Sequence, residues 1–224
     1  MAQFVMIAGG WHGGWTLTPV ARKLRVRGHD VFTPSLTGLG ERAHLAAARP
    51  NLDTHIEDVA NVLLFEELKD VVLCGHSYAG MVITGVADRL AERIAALIYI
   101  DAFVPADSQS WWDLAGDRYR QLAIENSAAD GFGVAPPPHV DRRCVAHPLA
   151  SFRQAIRLTG RWQPVREKVF IYASGWPATP FTATYEALSC DSGWSVHSIP
   201  TGHNVLVDAQ EEFLSIALAL RAVA

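Results

Sequence analysis

With 224 residues, half of them hydrophobic and 19% charged, the chain has the make-up of a globular protein with ample material for an apolar core. A net charge of −4 and the lack of any Lys/Arg cluster argue against nucleic acid or an anionic membrane as the main partner. Nothing approaches the ~18 consecutive apolar residues a membrane span needs.

The apolar run 4–10 has no basic stretch before it and no cleavage site after it, so it is expected to open the fold as a strand at 4–7, not as an export signal. A helix is expected over 16–27, stopped by Gly28. A strand at 30–33 follows. Thr54-His55-Ile56-Glu57 reads as a capping box for a helix over 55–67, with Thr54 as N-cap and Glu57 returning to its backbone N–H. That structural role counts against His55 as a catalytic group. Further strands are expected at 71–74, 95–100, 169–173 and 194–199, and helices at 78–91, 181–188 and 207–222.

Strands that are apolar throughout and alternate with helices mean an α/β fold, its sheet mostly parallel, about six-stranded and buried on both faces. One domain over 1–224 is expected. The stretch 104–163 breaks the alternation with Trp111-Trp112 and the proline run 136–138, and its length exceeds a simple crossover, so it is expected to be a small lid. Cys74, Cys144 and Cys190 are odd in number and lack metal-like spacing, which points to free thiols in a reducing cytoplasm.

The chemistry concentrates in Val71-Val72-Leu73-Cys74-Gly75-His76-Ser77-Tyr78-Ala79-Gly80, a strand running into a serine and then a helix. Such a strand–turn–helix elbow lifts a serine hydroxyl above the sheet, and the tight turn demands small residues two positions to either side, here Gly75 and Ala79. Ligands of open α/β sheets bind beyond the carboxyl ends of the strands. After the first strand comes Ala8-Gly9-Gly10-Trp11-His12-Gly13-Gly14-Trp15, whose glycines let the backbone run close to a substrate. The N–H groups of Gly10 and Tyr78 are candidates for an oxyanion hole. A phosphate-binding loop is the alternative, although no G-x-G-x-x-G is present and Trp11 and Trp15 suit an apolar acyl pocket better.

After the last strand, Pro200-Thr201-Gly202-His203-Asn204 offers His203 as the base. His76 should point away from the Ser77 hydroxyl, while His12 could line the pocket. The usual order places an acid after the penultimate strand, where this chain has Ser174-Gly175-Trp176-Pro177. Asp191 precedes the last strand and so falls at the wrong end of a parallel sheet. Asp101, closing Ile98-Tyr99-Ile100-Asp101 at the right edge, is the first candidate for the acid that orients the base, and Asp107 the second. Trp11, Trp15, Trp111, Trp112 and Phe132 are candidate pocket walls or core residues.

Together the Ser77 elbow, the Gly13-Gly14-Trp15 loop and Gly202-His203 make the chain resemble the α/β-hydrolase superfamily. Within it the chain is similar to the compact branch of plant methyl-ester esterases, hydroxynitrile lyases and bacterial esterase relatives, whose first loop reads H-G-x-x-H-G-G-W. The resemblance implies a three-layer fold with a small lid and a cofactor-independent serine hydrolase, with no metal, acting on a small, largely apolar ester through an acyl-enzyme. Three departures stand out: Ala8 replaces the loop's first histidine, the acid after the penultimate strand is missing, and the lid is short, which leaves the pocket open or calls for a second copy to cover it in a homodimer. The lysine that hydroxynitrile lyases carry near that acid is absent, which speaks against cyanohydrin cleavage. Cleavage of a C–C, lactone or amide bond on the same framework, and a non-catalytic small-molecule binder, are the other readings.

Overall fold

In the computed structural model, residues 1–177 and 179–220 are described. Six strands form one sheet: β1 (Gln3–Ile7), β2 (Asp30–Phe32), β3 (Val71–His76), β4 (Ile94–Ile100), β7 (Glu167–Ala173) and β8 (Ser195–Ile199). Their order is β2-β1-β3-β4-β7-β8, and every neighbouring pair is parallel. Successive side chains on a strand point to opposite faces, and here both faces are apolar. Val5, Ile7, Val71, Leu73, Leu97, Tyr99 and Phe170 join one core, while Phe4, Met6, Val72, Cys74, Ile98, Ile100 and Ile171 join the other. Such double burial is why these strands read as unbroken hydrophobic runs.

Helices α2 (Leu52–Phe65) and α3 (Ala79–Arg89) contribute to the first core, and α1 (Thr18–Val26), α8 (Val205–Asp208) and α9 (Gln210–Leu218) to the second. Helix α7 (Thr182–Ser189) precedes β8. The chain leaves β1 toward β2 on one side and returns through β3 to build the sheet outward on the other. The carboxyl ends of β1 and β3 therefore flank a topological switch point, the place where such sheets bind ligands.

Between β4 and β7 lie α4 (Trp111–Leu114), α5 (Gly116–Glu125), the antiparallel pair β5 (Gly133–Val134) and β6 (His147–Pro148), and α6 (Leu149–Arg153). Buried Asp88 of α3 ties the return of this segment down by accepting from the Thr159 N–H (2.6 Å), the Thr159 hydroxyl (2.9 Å) and the Trp162 N–H (3.3 Å).

Three boundaries differ from expectation. Helix α2 begins one turn earlier than its apparent capping box: Asn51 is the N-cap, its side chain accepts from the Thr54 N–H at 3.0 Å, and the Thr54 hydroxyl accepts from the Asn51 N–H. Thr54 is thus the third helical residue, and Glu57 reaches Arg89 instead. The first helix is preceded by a 3-10 turn, Gly14–Leu17. The terminal helix is two, broken at Ala209, and the second ends at Leu218, short of the expected end, whose positions 221–222 lie outside the described residues.

Candidate active site

Ser77 follows β3 with φ of +55°, a left-handed conformation that costs a non-glycine residue about 1–2 kcal/mol. The surroundings hold it there. Its N–H donates to Ile100 O (3.2 Å), and its carbonyl accepts from the Gly80 N–H (3.1 Å) and the Phe103 N–H (3.2 Å). A Cβ on Gly75 would lie 2.8 Å from the Ala79 carbonyl oxygen, which is why the turn tolerates only glycine at that position. The first loop passes equally close: a Cβ on Gly9 would sit 3.0 Å from Ser77 Cβ. Gly14 serves another purpose, since a Cβ there would meet Thr33 O at 1.9 Å and break the packing of the loop on β2.

Asp101 follows β4, also left-handed, at φ +43°, and is 0% exposed. Its N–H donates to Ile171 O (2.7 Å), and its Oδ1 accepts the N–H of Ala173 at the end of β7 (3.1 Å). Its Oδ2 lies 2.7 Å from His203 Nδ1, a contact across 102 residues of sequence. The carboxylate thus starts from β4 and reaches to β7, the strand whose following loop lacks an acid. Asp107 is committed elsewhere, to the Leu158 N–H and the Ser108 hydroxyl, and Asp191 to the Gly193 N–H.

His203 rides on the loop after β8. The ring is held between two others, His76 at 4.5 Å and Trp176 at 4.4 Å. His76 Nε2–H donates to the His203 carbonyl at 2.9 Å, so the residue before the serine anchors the loop that carries His203. This bond spans 127 positions of the chain. Burial disfavours both charged forms of the 101/203 pair, lowering the imidazole's affinity for a proton and raising the carboxyl's. Even so, 26% of the His203 side chain remains open.

Gly10 and Tyr78 meet beside Ser77: a Cβ on Gly10 would be 4.0 Å from Tyr78 Cβ. Among the described residues, neither backbone N–H donates to a protein acceptor. The Tyr78 ring is fixed from below. Its hydroxyl donates to His55 Nδ1 (2.9 Å), His55 Nε2–H donates to Thr37 O (2.9 Å), and Thr37 donates its N–H (2.6 Å) and hydroxyl (2.8 Å) to Asp58. Burial pushes His55 down to about 4, so it stays neutral, as this chain of bonds requires.

The aromatic candidates separate. The Trp11 ring packs on His147 (6.0 Å) and Phe152 (5.8 Å), and Trp111 stacks on Phe152 at 4.1 Å. His12 Nδ1–H donates to Gly10 O at 2.7 Å, beneath the loop it belongs to. Trp15 instead carries the Arg143 guanidinium at 3.8 Å, Trp112 carries that of Arg153 at 4.6 Å, and Phe132 is 45% exposed beneath Arg49. Sequence reasoning passed over His147, Trp176, Phe152 and Phe181. None stands in a recognisable motif, and only the fold brings them to the site.

Residues 4–216 match the alpha/beta hydrolase family. A carbendazim hydrolyzing esterase of Nocardioides sp. (strain SG-4G) is 40% identical over 242 aligned residues, covering 98% of this chain and 100% of its own. A pyrethroid hydrolase of Sphingobium wenxiniae is 30% identical over 108 residues, 47% of this chain and 38% of its own length. Among solved structures, an extracellular alpha/beta-hydrolase from a Paenibacillus species aligns with a TM-score of 0.84 at 20% identity, over 97% of this chain and 98% of the other.

Proposed function

Because the chain belongs to the alpha/beta hydrolase family, we propose that it is a carboxylic ester hydrolase with a Ser77–His203–Asp101 triad. Ser77 Oγ attacks the ester carbonyl while His203 Nε2 takes its proton. Asp101 receives the Nδ1–H, fixes the tautomer and stabilises the imidazolium that forms. The Gly10 and Tyr78 N–H groups bind the oxyanion, each worth ~3 kcal/mol in the transition state. His203 then protonates the leaving alcohol and activates the water that releases the acid.

The observation that carries this reading is the 2.7 Å contact between Asp101 and His203. It weighs against a non-catalytic binder, for which the missing acid after the penultimate strand is the best argument. The segment between β4 and β7 acts as the lid. Phe103, Trp111, Phe152, Trp176 and Phe181 form an aromatic cluster that reaches His203, an apolar setting that supports a small, largely apolar ester as substrate, with no nucleic acid or membrane surface as partner. No described helix is long and apolar enough to cross a membrane, and the unpaired thiols suit a reducing cytoplasm.

A fluorophosphonate probe should label wild-type protein stoichiometrically at Ser77. Ser77→Ala should abolish labelling and lower kcat by about 10⁴-fold or more against aryl esters. Carbendazim belongs in the same substrate panel as lactones and β-diketones, compared by kcat/KM. Retention of most activity by Ser77→Ala would sink the mechanism.

A further inference from the structure

The segment between β4 and β7 does more than enclose the site. Trp11 has φ of +67°, the most unfavourable backbone in the first loop for a bulky side chain. Three hydrogen bonds hold it, all from that segment. Its N–H donates to His147 Nδ1 (3.2 Å), its carbonyl accepts from the Val145 N–H (3.1 Å), and its indole N–H donates to Val134 O (2.9 Å). Val134 and His147 are register partners in the β5–β6 ladder, so one small sheet supplies two of the three.

His147 is itself fixed. It is fully buried, stacked on Phe152 at 4.1 Å and 11°, and 2.8 Å from Ser151 Oγ through Nε2. The Ser151 hydroxyl donates to Pro148 O (2.8 Å), so it must accept from His147 Nε2–H, and Nδ1 is left as the acceptor for Trp11. Trp11 N–H belongs to the Gly10–Trp11 peptide, whose carbonyl is held in turn by His12 at 2.7 Å. The preceding peptide, which carries the Gly10 N–H, is held by the His12 N–H on Gly9 O at 3.3 Å. Gly9 and Gly10 have no side chain to restrict them, so the direction of that N–H depends on these external pins.

We infer that His147 is a positioning residue of the oxyanion hole. Through the Trp11 N–H it clamps the loop that presents the Gly10 donor, and thereby makes the hole conditional on docking of the inserted segment. This rests on the reading of Gly10 and Tyr78 as the oxyanion donors. A donor displaced by about 1 Å costs up to 10²-fold in rate. The effect falls on the transition state, so it appears in kcat and not in KM.

The test compares His147→Phe, which keeps the ring stacked on Phe152 but removes both nitrogens, with His147→Asn, which returns an acceptor near the Nδ1 position. His147→Phe should lower kcat about thirty-fold with KM changed by less than about threefold, and His147→Asn should recover most of the loss. Wild-type kcat in His147→Phe, or a loss that His147→Asn does not recover, would overturn the inference. If His147→Phe fails to fold, Ser151→Ala replaces it: a several-fold fall in kcat at unchanged KM supports the clamp, and an unchanged kcat refutes it. Fluorophosphonate labelling of the wild type keeps the two failures apart. Absent labelling at Ser77 defeats the esterase reading itself, whereas labelling with an insensitive His147→Phe defeats only the clamp.

Discussion

The strand ends and the inserted segment build the same site by different means. At the ends of β3 and β4, Ser77 and Asp101 both take left-handed backbones held by hydrogen bonds from neighbouring strands. Their positions follow from the sheet, and a short stretch of sequence is enough to anticipate them. The inserted segment contributes residues by contact alone: His147 reaches Trp11 across 136 positions, through a two-residue strand that no periodicity announces. The sheet therefore fixes where the proposed reacting groups stand, while the insertion fixes how the first loop is held.

The sharpest way to break this comparison is at the strand end. Asp101→Asn leaves the shape of the site but removes the anion beside His203 Nδ1, and kcat should fall by about 10⁴-fold. Asp107→Asn should leave kcat near wild type. Comparable losses in the two variants would move the acid off β4. The Asp101→Asn loss should also exceed that of His147→Phe by about two orders of magnitude.

Acid should next test the neutral histidines that both regions bury. Burial holds His55 at about 4, His76 at about 3 and His147 well below its ordinary value. Unfolding returns each to ~6.5, so below that pH the unfolded chain binds more protons and stability falls as pH drops. Three such groups lose up to ~4 kcal/mol per pH unit between pH 6.5 and 4. Urea midpoints at pH 7 and pH 5 measure this, and equal midpoints would contradict it.

A smaller effect separates the two sides of His203. Trp176→Leu opens the ring to water, relieves the burial that lowers its proton affinity and removes one tilted ring contact. The acid limb of kcat/KM, which should lie below pH 6.5 in the wild type, should move upward, with kcat down several-fold, since one aromatic contact is worth about 1 kcal/mol. An unmoved limb would show that Trp176 only fills space. Smallest of all, Asn51→Ala should cost about 1 kcal/mol in thermal or urea unfolding as an N-cap, and Glu57→Ala less, because Glu57 makes an exposed pair with Arg89.

Much of the sheet was legible because doubly buried strands are apolar at every position, and the elbow because glycine and alanine flank one serine. Asp101 could be singled out only by asking which carboxylate ends a strand at the correct edge. The start of α2 was misread because Thr54 and Glu57 satisfy the capping pattern as written, while Asn51, one turn earlier, captures the same Thr54 N–H with its own side chain. His147, Trp176 and Phe181 stayed hidden for a different reason. The contacts that bring them to the site, His147 to Trp11 and Trp176 and Phe181 to His203, span distant parts of the chain, and no local pattern records them.

The proposed triad takes its acid from β4, which has a consequence for how this scaffold can be altered. Where the carboxylate sits after the penultimate strand, any remodelling of that turn endangers the proton relay. In this chain the turn at 174–177 presents an indole to His203, the proposed base, and carries no charge. With Trp176 kept against His203 and Gly175 against Thr201, its other positions are open to randomised libraries that would retune which alcohols or acids fit without moving the carboxylate.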